Sequence, residues 1–171
     1  MAEAENISVG NTSIQPLSAF EVGQYFIRKG NNDPQNLTYL KLQLLLYYSQ
    51  GWYLVFNEDA LFKDEIIATM YGIEIPSIQA VYGWYGLRDL SELDPRKIDY
   101  PSILEKFLDK IWDIYAKQDF KILAKKTLSP SSPYSITVKS YGKSPDSMWG
   151  NENFIIPIEV LRDYFKSKIT P

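Results

Sequence analysis

The sequence contains neither cysteine nor histidine among its 171 residues. The absence of cysteine excludes disulfides, thiolate metal sites and cysteine nucleophiles, and it is typical of a cytoplasmic protein. The absence of histidine removes the commonest general base and the commonest metal ligand. Serine-histidine triads, zinc deaminases and histidine-based nucleases are therefore excluded, and an enzyme would have to rely on carboxylates, lysine or tyrosine. We expect no cofactor and no metal site.

The chain also lacks a strong excess of either charge, with 18 basic and 21 acidic residues and a net charge of −3. This balance gives no general attraction to phosphate backbones, which argues against a nucleic-acid partner. Residues 1–16 have neither the basic nor the apolar stretch of a signal peptide and are predicted to form a flexible tail. Residues 17–171 are predicted to form a single domain, because a chain of this length buries well over half of its surface.

The segment LTYLKLQLLLYYSQGWYLVF, residues 37–56, carries a single charge. A helix that is apolar nearly all round is either buried on most sides or lies in a membrane. The polar residues Lys41, Gln43 and Gln50 stand inside a segment that is barely long enough to cross a bilayer and has no flanking basic cluster. We therefore interpret this segment as the central core helix and expect no membrane partner.

Local patterns predict the remaining elements. Residues 17–30 place apolar side chains near one helical face, with Ser18 as N-cap and Gly30 as C-cap, and Thr38 is expected to cap the central helix. A polar KDE turn predicts a hairpin that pairs residues 60–62 with 66–70. Further helices are predicted from Pro76 to Gly83, over residues 102–117, in DFKILAKKTLS, in PYSITVKSYG and in PIEVLRDYFKSK, with Pro157 in the first turn of the last. The predicted fold class is mainly α (α+β): a compact helical domain around a buried central helix, with a small β-hairpin.

The acidic residues Asp89, Glu92 and Asp94 lie close together in a polar loop. Carboxylates gain metal-binding or acid-base roles when a cleft holds them in a perturbed environment. A loop of this composition is more typical of solvated surface, and we interpret the three residues in that way.

Polar side chains on the central helix and the tyrosines near it are the candidate contact residues. A buried polar group must be satisfied by the protein interior or by a partner, and tyrosine and tryptophan anchor many protein interfaces. The candidates for partner binding are Lys41, Gln43, Tyr47, Gln50, Tyr71, Tyr82 and Tyr85. The alternative for the glutamines is that they bond to loop backbone inside the fold, and for Lys41 that its amine reaches water.

The order of motifs along the chain resembles a known family. The string from Leu37 to Gln43, which runs on to Tyr47 and to Gln50-Gly51-Trp52, is similar to the central helix of the Panacea domain, also known as the SocA-like or phage-associated GepA-type domain. Later motifs that resemble this family, over residues 17–166, are Leu61-Phe62, Ile66 to Ala68, Tyr71-Gly72, Pro76-Ser77, Tyr85-Gly86, Leu108 to Tyr115, Leu123, Thr127, Pro133-Tyr134 and Ile156 to Phe165. The chain departs from the family pattern at Leu44, Met70, Ile73-Glu74 and Leu128.

The resemblance implies a non-enzymatic, antitoxin-type role in the bacterial cytoplasm. Members of the family neutralise the product of a neighbouring toxin gene by binding it, and a SocA-like member delivers its toxin to an ATP-dependent AAA+ protease. A second reading is a phage or mobile-element protein that inhibits a host defence or regulatory protein through the same scaffold. A third is an enzyme built from carboxylates and tyrosine. The first two require a surface for a protein partner, and the third requires a pocket with convergent carboxylates.

Overall fold

The computed structural model of the protein describes residues 15–169, so residues 1–14 of the predicted tail lie outside the described residues. Within this range the chain is mainly helical with one small antiparallel sheet, which confirms the predicted fold class. The seven α-helices of the described range are α1 (Ala19–Asn32), α2 (Tyr39–Asn57), α3 (Pro76–Tyr82), α4 (Ser102–Ile111), α5 (Phe120–Thr127), α6 (Pro133–Ser140) and α7 (Ile158–Lys166). The strands are β1 (Ile67–Thr69), β2 (Gly72–Glu74) and β3 (Asn153–Ile155).

Helix α2 is the predicted central helix. Thr38 caps it by accepting a hydrogen bond from the Lys41 backbone N–H (3.3 Å), and Glu58 ends it in the left-handed conformation. Every residue from Lys41 to Leu54 is buried, because α1, α3, α4, α5 and α7 all pack against this helix. In the part of the chain that the structure describes, no helix is long and apolar enough to cross a membrane.

Helix α1 begins as predicted but extends beyond the predicted end. Ser18 and Glu21 form a reciprocal capping box at its N-terminus. Gly30 does not end the helix, which continues to Asn32 and is capped by Asp33. The glycine serves packing instead, since a Cβ on Gly30 would lie 2.7 Å from the Cβ of Ser91 in the 3₁₀ turn Leu90–Glu92. The C-cap prediction is therefore wrong.

The sheet differs from the predicted hairpin. Strand β1 is central and pairs antiparallel with β2 on one side and with β3, which the sequence analysis missed, on the other. The turn lies at Met70 and Tyr71, and Gly72 takes a φ of 121° that favours glycine. Residues 61 and 62 instead pair with Leu17, just before α1, where the Leu17 N–H donates to the Leu61 carbonyl (3.0 Å). Strands of three residues are too short to display a reliable period-2 pattern.

The helices after residue 100 follow the predictions closely. Helix α4 continues as a π-helical turn, Trp112–Ala116, that directs Trp112 and Tyr115 into the core. The Trp52 indole N–H donates to the Tyr115 hydroxyl (2.6 Å), which ties α2 to this turn. Helices α5 and α6 form where predicted, and Pro157 is the N-cap of α7 rather than part of its first turn.

Candidate protein-interaction surface

The two glutamines of α2 hold loop backbone inside the fold. The Gln50 amide donates to the Phe62 carbonyl (2.9 Å), and its carbonyl oxygen accepts from the N–H groups of Leu61 (2.9 Å) and Phe62 (3.2 Å). The Gln43 carbonyl oxygen accepts from the Ile75 N–H (2.5 Å) at the start of α3. Both glutamines are almost fully buried. The sequence left open whether they bind a partner or bond to loop backbone, and in the structure they bond to loop backbone.

Two of the candidate tyrosines also belong to the interior. The Tyr82 hydroxyl accepts from the Gln24 amide (2.5 Å), and its ring lies parallel to that of Phe20. Tyr47 is buried among the rings of Tyr48 and Phe165, and burial raises the pKa of its hydroxyl well above the ordinary value. The Tyr47 hydroxyl has no hydrogen-bond partner in the described part of the chain.

We expect Tyr47→Phe to leave the free energy of unfolding unchanged or to raise it by up to about 1 kcal/mol, because it removes a buried, unpaired hydroxyl. Tyr134→Phe is the matched control, since the Tyr134 hydroxyl donates to the Thr69 carbonyl (2.9 Å). That control should lower the free energy of unfolding by about 1 kcal/mol. Urea denaturation followed by circular dichroism measures both, and a larger loss for Tyr47→Phe than for Tyr134→Phe would contradict the assignment.

Lys41 lies at the wall of a cavity of about 490 Å³ between the start of α2 and the start of α5, which we call the Lys41 cavity. Its side chain is only 8% exposed, and its amine donates to the Gln35 carbonyl (3.0 Å). Burial lowers the pKa of Lys41, while the nearby carboxylates of Asp119 and Asp89 act in the opposite direction. Lys41 is therefore a partly desolvated cation that borders open space.

The end of α3 and the turn that follows it carry five exposed or half-buried side chains, which we call the Trp84 patch. They are Val81, Trp84, Tyr85, Leu87 and Arg88. The rings of Trp84 and Tyr85 lie 4.0 Å apart, and the Arg88 guanidinium carbon lies 5.0 Å from each ring centroid. Trp84 is 67% exposed and Leu87 is 80% exposed. The contact between the two tilted rings and the cation–π contacts of Arg88 hold Trp84, Tyr85 and Arg88 together before any partner arrives.

A shallow groove along α5, of about 850 Å³, continues this surface. We define the α5 groove by its apolar residues Phe120, Ile122, Ala124 and Leu128 and by the lysines Lys121, Lys125 and Lys126. Phe120 borders both the α5 groove and the Lys41 cavity, and Leu87 belongs to both the Lys41 cavity and the Trp84 patch. The patch, the cavity and the groove therefore form one continuous surface.

Tyr71 lies close to the far end of this surface. It is 87% exposed in the β1–β2 turn. The adjacent Gly72 faces α5, since a Cβ on it would lie 3.8 Å from the Leu128 side chain. Of the seven candidate contact residues, Lys41 and Tyr85 lie on the continuous surface, and Tyr71 lies one residue from Gly72, which borders its α5 end.

A second exposed aromatic cluster lies near β3. The rings of Tyr141 and Phe154 stack with their centroids 4.1 Å apart, and Trp149 is 75% exposed. Among the described residues, Trp149 has no aromatic or cationic neighbour comparable to those of Trp84. It is a matched control for Trp84.

The acidic residues that the sequence placed in a loop do not form a metal site. The Asp89 carboxylate accepts from the Leu37 N–H (3.0 Å) and from the N–H and hydroxyl of Ser91 (2.9 and 2.7 Å). Asp89 thus fastens the loop to the start of α2. Across residues 15–169, no group of three or more acidic side chains is arranged to hold a metal ion.

Comparison with known families, characterised proteins and solved structures found no match to this chain. The resemblance to the Panacea domain stays a prediction. Of the continuous surface, sequence reasoning selected Lys41 and Tyr85. It did not select Trp84, although tryptophans near the central helix stood out as interface residues, and it missed Leu87, Arg88 and the α5 groove. The signal for the groove was present in the sequence FKILAKKTL, whose lysines recur on one side of a helix.

Proposed function

We propose that the protein is an antitoxin-type binding domain that neutralises a cognate toxin by forming a direct complex with it. The Trp84 patch is the observation that carries this proposal. Tryptophan, tyrosine and arginine dominate the binding energy of protein interfaces, and here an exposed tryptophan and arginine are held against a half-buried tyrosine. Because the side chains are already ordered, little conformational entropy is lost when a partner covers them.

The resemblance described above supplies the identity of the partner class. A cognate toxin encoded beside this gene is the proposed partner, the bacterial cytoplasm is the proposed location, and delivery to an AAA+ protease is a proposed outcome of binding. A chain without histidine or cysteine suits this non-enzymatic role better than it suits acid-base catalysis at neutral pH.

Inhibition of a host defence or regulatory protein by a phage or mobile-element protein is the second candidate. It is favoured by the position of three of the four departures from the family pattern. Gly72 packs beside Leu128, so the departures at Met70, Ile73-Glu74 and Leu128 fall around one contact between the β1–β2 turn and the end of α5. An altered surface next to the α5 groove suits an altered partner.

Co-expression with the adjacent gene tests the proposal, with growth rescue and co-purification as the measurements. We expect Trp84→Ala to weaken the complex about 30-fold, which corresponds to about 2 kcal/mol for an interface hot spot, and to reduce rescue. Trp149→Ala removes a similarly exposed tryptophan near β3 and should leave both measurements unchanged.

Two outcomes contradict the antitoxin proposal. In the first, the neighbouring gene product is harmless when expressed alone. In the second, it stays toxic and unbound in the presence of the protein. Equal losses in Trp84→Ala and Trp149→Ala would instead show that the Trp84 patch is not the contact surface.

A further inference from the structure

The exposed side of α5 carries charge of one sign. Residues 120–128 contain three lysines and no acidic residue, in a chain whose net charge is −3. Lys121 and Lys125 are one helical turn apart, so they project from the same side of α5. Neither forms an ion pair with another residue of the described range 15–169. Their charges face solvent rather than an internal partner.

Exposed apolar side chains lie directly beside these lysines. Ile122 and Leu128 are about half exposed, and together with Phe120 and Ala124 they form the floor of the α5 groove. Contiguous exposed apolar surface with a polar rim marks interaction sites in proteins that are otherwise well packed. The floor is mainly aliphatic, so it offers few rings on which nucleic-acid bases could stack.

Positive charge continues past Phe120 into the Lys41 cavity. Lys117 borders this cavity, and its contact with Asp113 (3.8 Å) is a solvent-exposed pair, which contributes little. The Asp119 carboxylate also lies here, but it accepts from the Lys121 N–H (2.8 Å) and so caps α5. Lys41 also lines this cavity, although it is buried and its amine is bonded to the Gln35 carbonyl.

We propose that the α5 groove binds an acidic segment of the protein partner, one that carries apolar side chains between its carboxylates. The apolar side chains would cover Ile122 and Leu128 while the carboxylates approach Lys121 and Lys125. Carboxylates extending past Phe120 would enter the Lys41 cavity, where Lys117 is exposed. This inference rests on the proposed function, because it describes the chemistry of the partner segment that the same continuous surface takes.

A peptide assay tests the groove without the toxin. The probe is a short fluorescein-labelled peptide with glutamate and leucine at amphipathic helical spacing, and fluorescence anisotropy reports its binding. We expect Lys121→Glu with Lys125→Glu to weaken binding at least about tenfold, since unlike charges at an interface become like charges. Ile122→Ser should weaken it as well, and added salt should weaken it for the parent protein.

The control is Lys63→Glu with Lys106→Glu, which makes the same change in net charge at two exposed lysines outside the groove. It should bind the peptide as the parent protein does. A peptide in which serine replaces leucine should bind weakly, and vesicles of phosphatidylserine should not bind. Circular dichroism confirms that each variant is folded.

Each result separates the inference from the proposed function. Three outcomes overturn the proposal that the α5 groove binds an acidic segment, whatever growth rescue shows. They are equal affinity of the two double variants for the glutamate-leucine peptide, no peptide binding at all, and binding to the vesicles instead of the peptide. Groove-dependent peptide binding supports the inference even if the neighbouring gene proves harmless and the antitoxin proposal fails.

Discussion

The Gly51→Ala variant is expected to lose roughly 2–3 kcal/mol of unfolding free energy, although alanine is the better helix former. Gly51 lies in the middle of α2, where a Cβ would overlap the ring of Phe165 from α7. That ring cannot retreat easily, because it packs against Tyr47, Tyr48 and Trp52 with centroids 5.1–6.0 Å away. Either α7 moves or several rings leave their preferred positions, and both cost packing energy.

Gly23→Ala is the matched control for this prediction. A Cβ on Gly23, in the buried face of α1, would lie 3.7–3.9 Å from Leu42 and Ile78, which is ordinary contact. This variant should gain up to about 1 kcal/mol from helix propensity. Urea denaturation compares the two, and Phe165→Leu in the Gly51→Ala background should recover part of the loss. If Gly51→Ala is as stable as Gly23→Ala, the close packing of α7 on α2 is incorrect.

Gln50→Leu is expected to lower the free energy of unfolding by roughly 3 kcal/mol, because it leaves three backbone groups of the following loop without partners. The side-chain amide of Gln50 links all three groups to α2 by hydrogen bonds. Leucine has a similar volume, so the loss should arise from hydrogen bonding rather than from a cavity. The same loop also pairs with Leu17, just before α1, at Leu61 and Phe62. This contact should loosen as well.

Hydrogen exchange locates the effect of Gln50→Leu. The N–H groups of Leu61 and Phe62 should exchange faster, while those at the centre of α2 should follow global stability. Gln79→Leu changes an exposed glutamine of α3 and should alter stability by less than about 0.5 kcal/mol. Indistinguishable unfolding curves for Gln50→Leu and Gln79→Leu would show that the loop does not depend on Gln50.

Capping chemistry and hydrophobic periodicity were sufficient to predict most of the helices. Ser18, Thr38 and Pro76 mark helix starts in the structure because their side chains or rings act within one turn of chain. Gly30 and the sheet were mispredicted because their roles depend on residues far away in sequence. Gly30 leaves room for Ser91, which packs closely against it. Strand β1 pairs with β3, which lies more than 80 residues later in the sequence.

The surface could be predicted only in part, for a related reason. The polar residues of α2 stood out in an apolar segment, but Gln43 and Gln50 turned out to satisfy backbone groups of residues 61, 62 and 75. Exposure of Trp84 could not be read from its neighbours, since Tyr82 two positions earlier is buried. Which aromatic ring faces solvent is decided by the packing of α3 against α1 and α2, and no local pattern encodes it.

The four tryptophans of the chain divide evenly between interior and surface, and this division makes the protein its own fluorescent reporter. Trp52 and Trp112 are buried, whereas Trp84 and Trp149 are largely exposed. Emission from the first pair shifts to longer wavelength only when the core opens, whereas iodide reaches the second pair in the folded protein. In a Trp149→Phe background, the quenchable emission comes from Trp84 alone. Protection of that emission then reports occupancy of the Trp84 patch without any label.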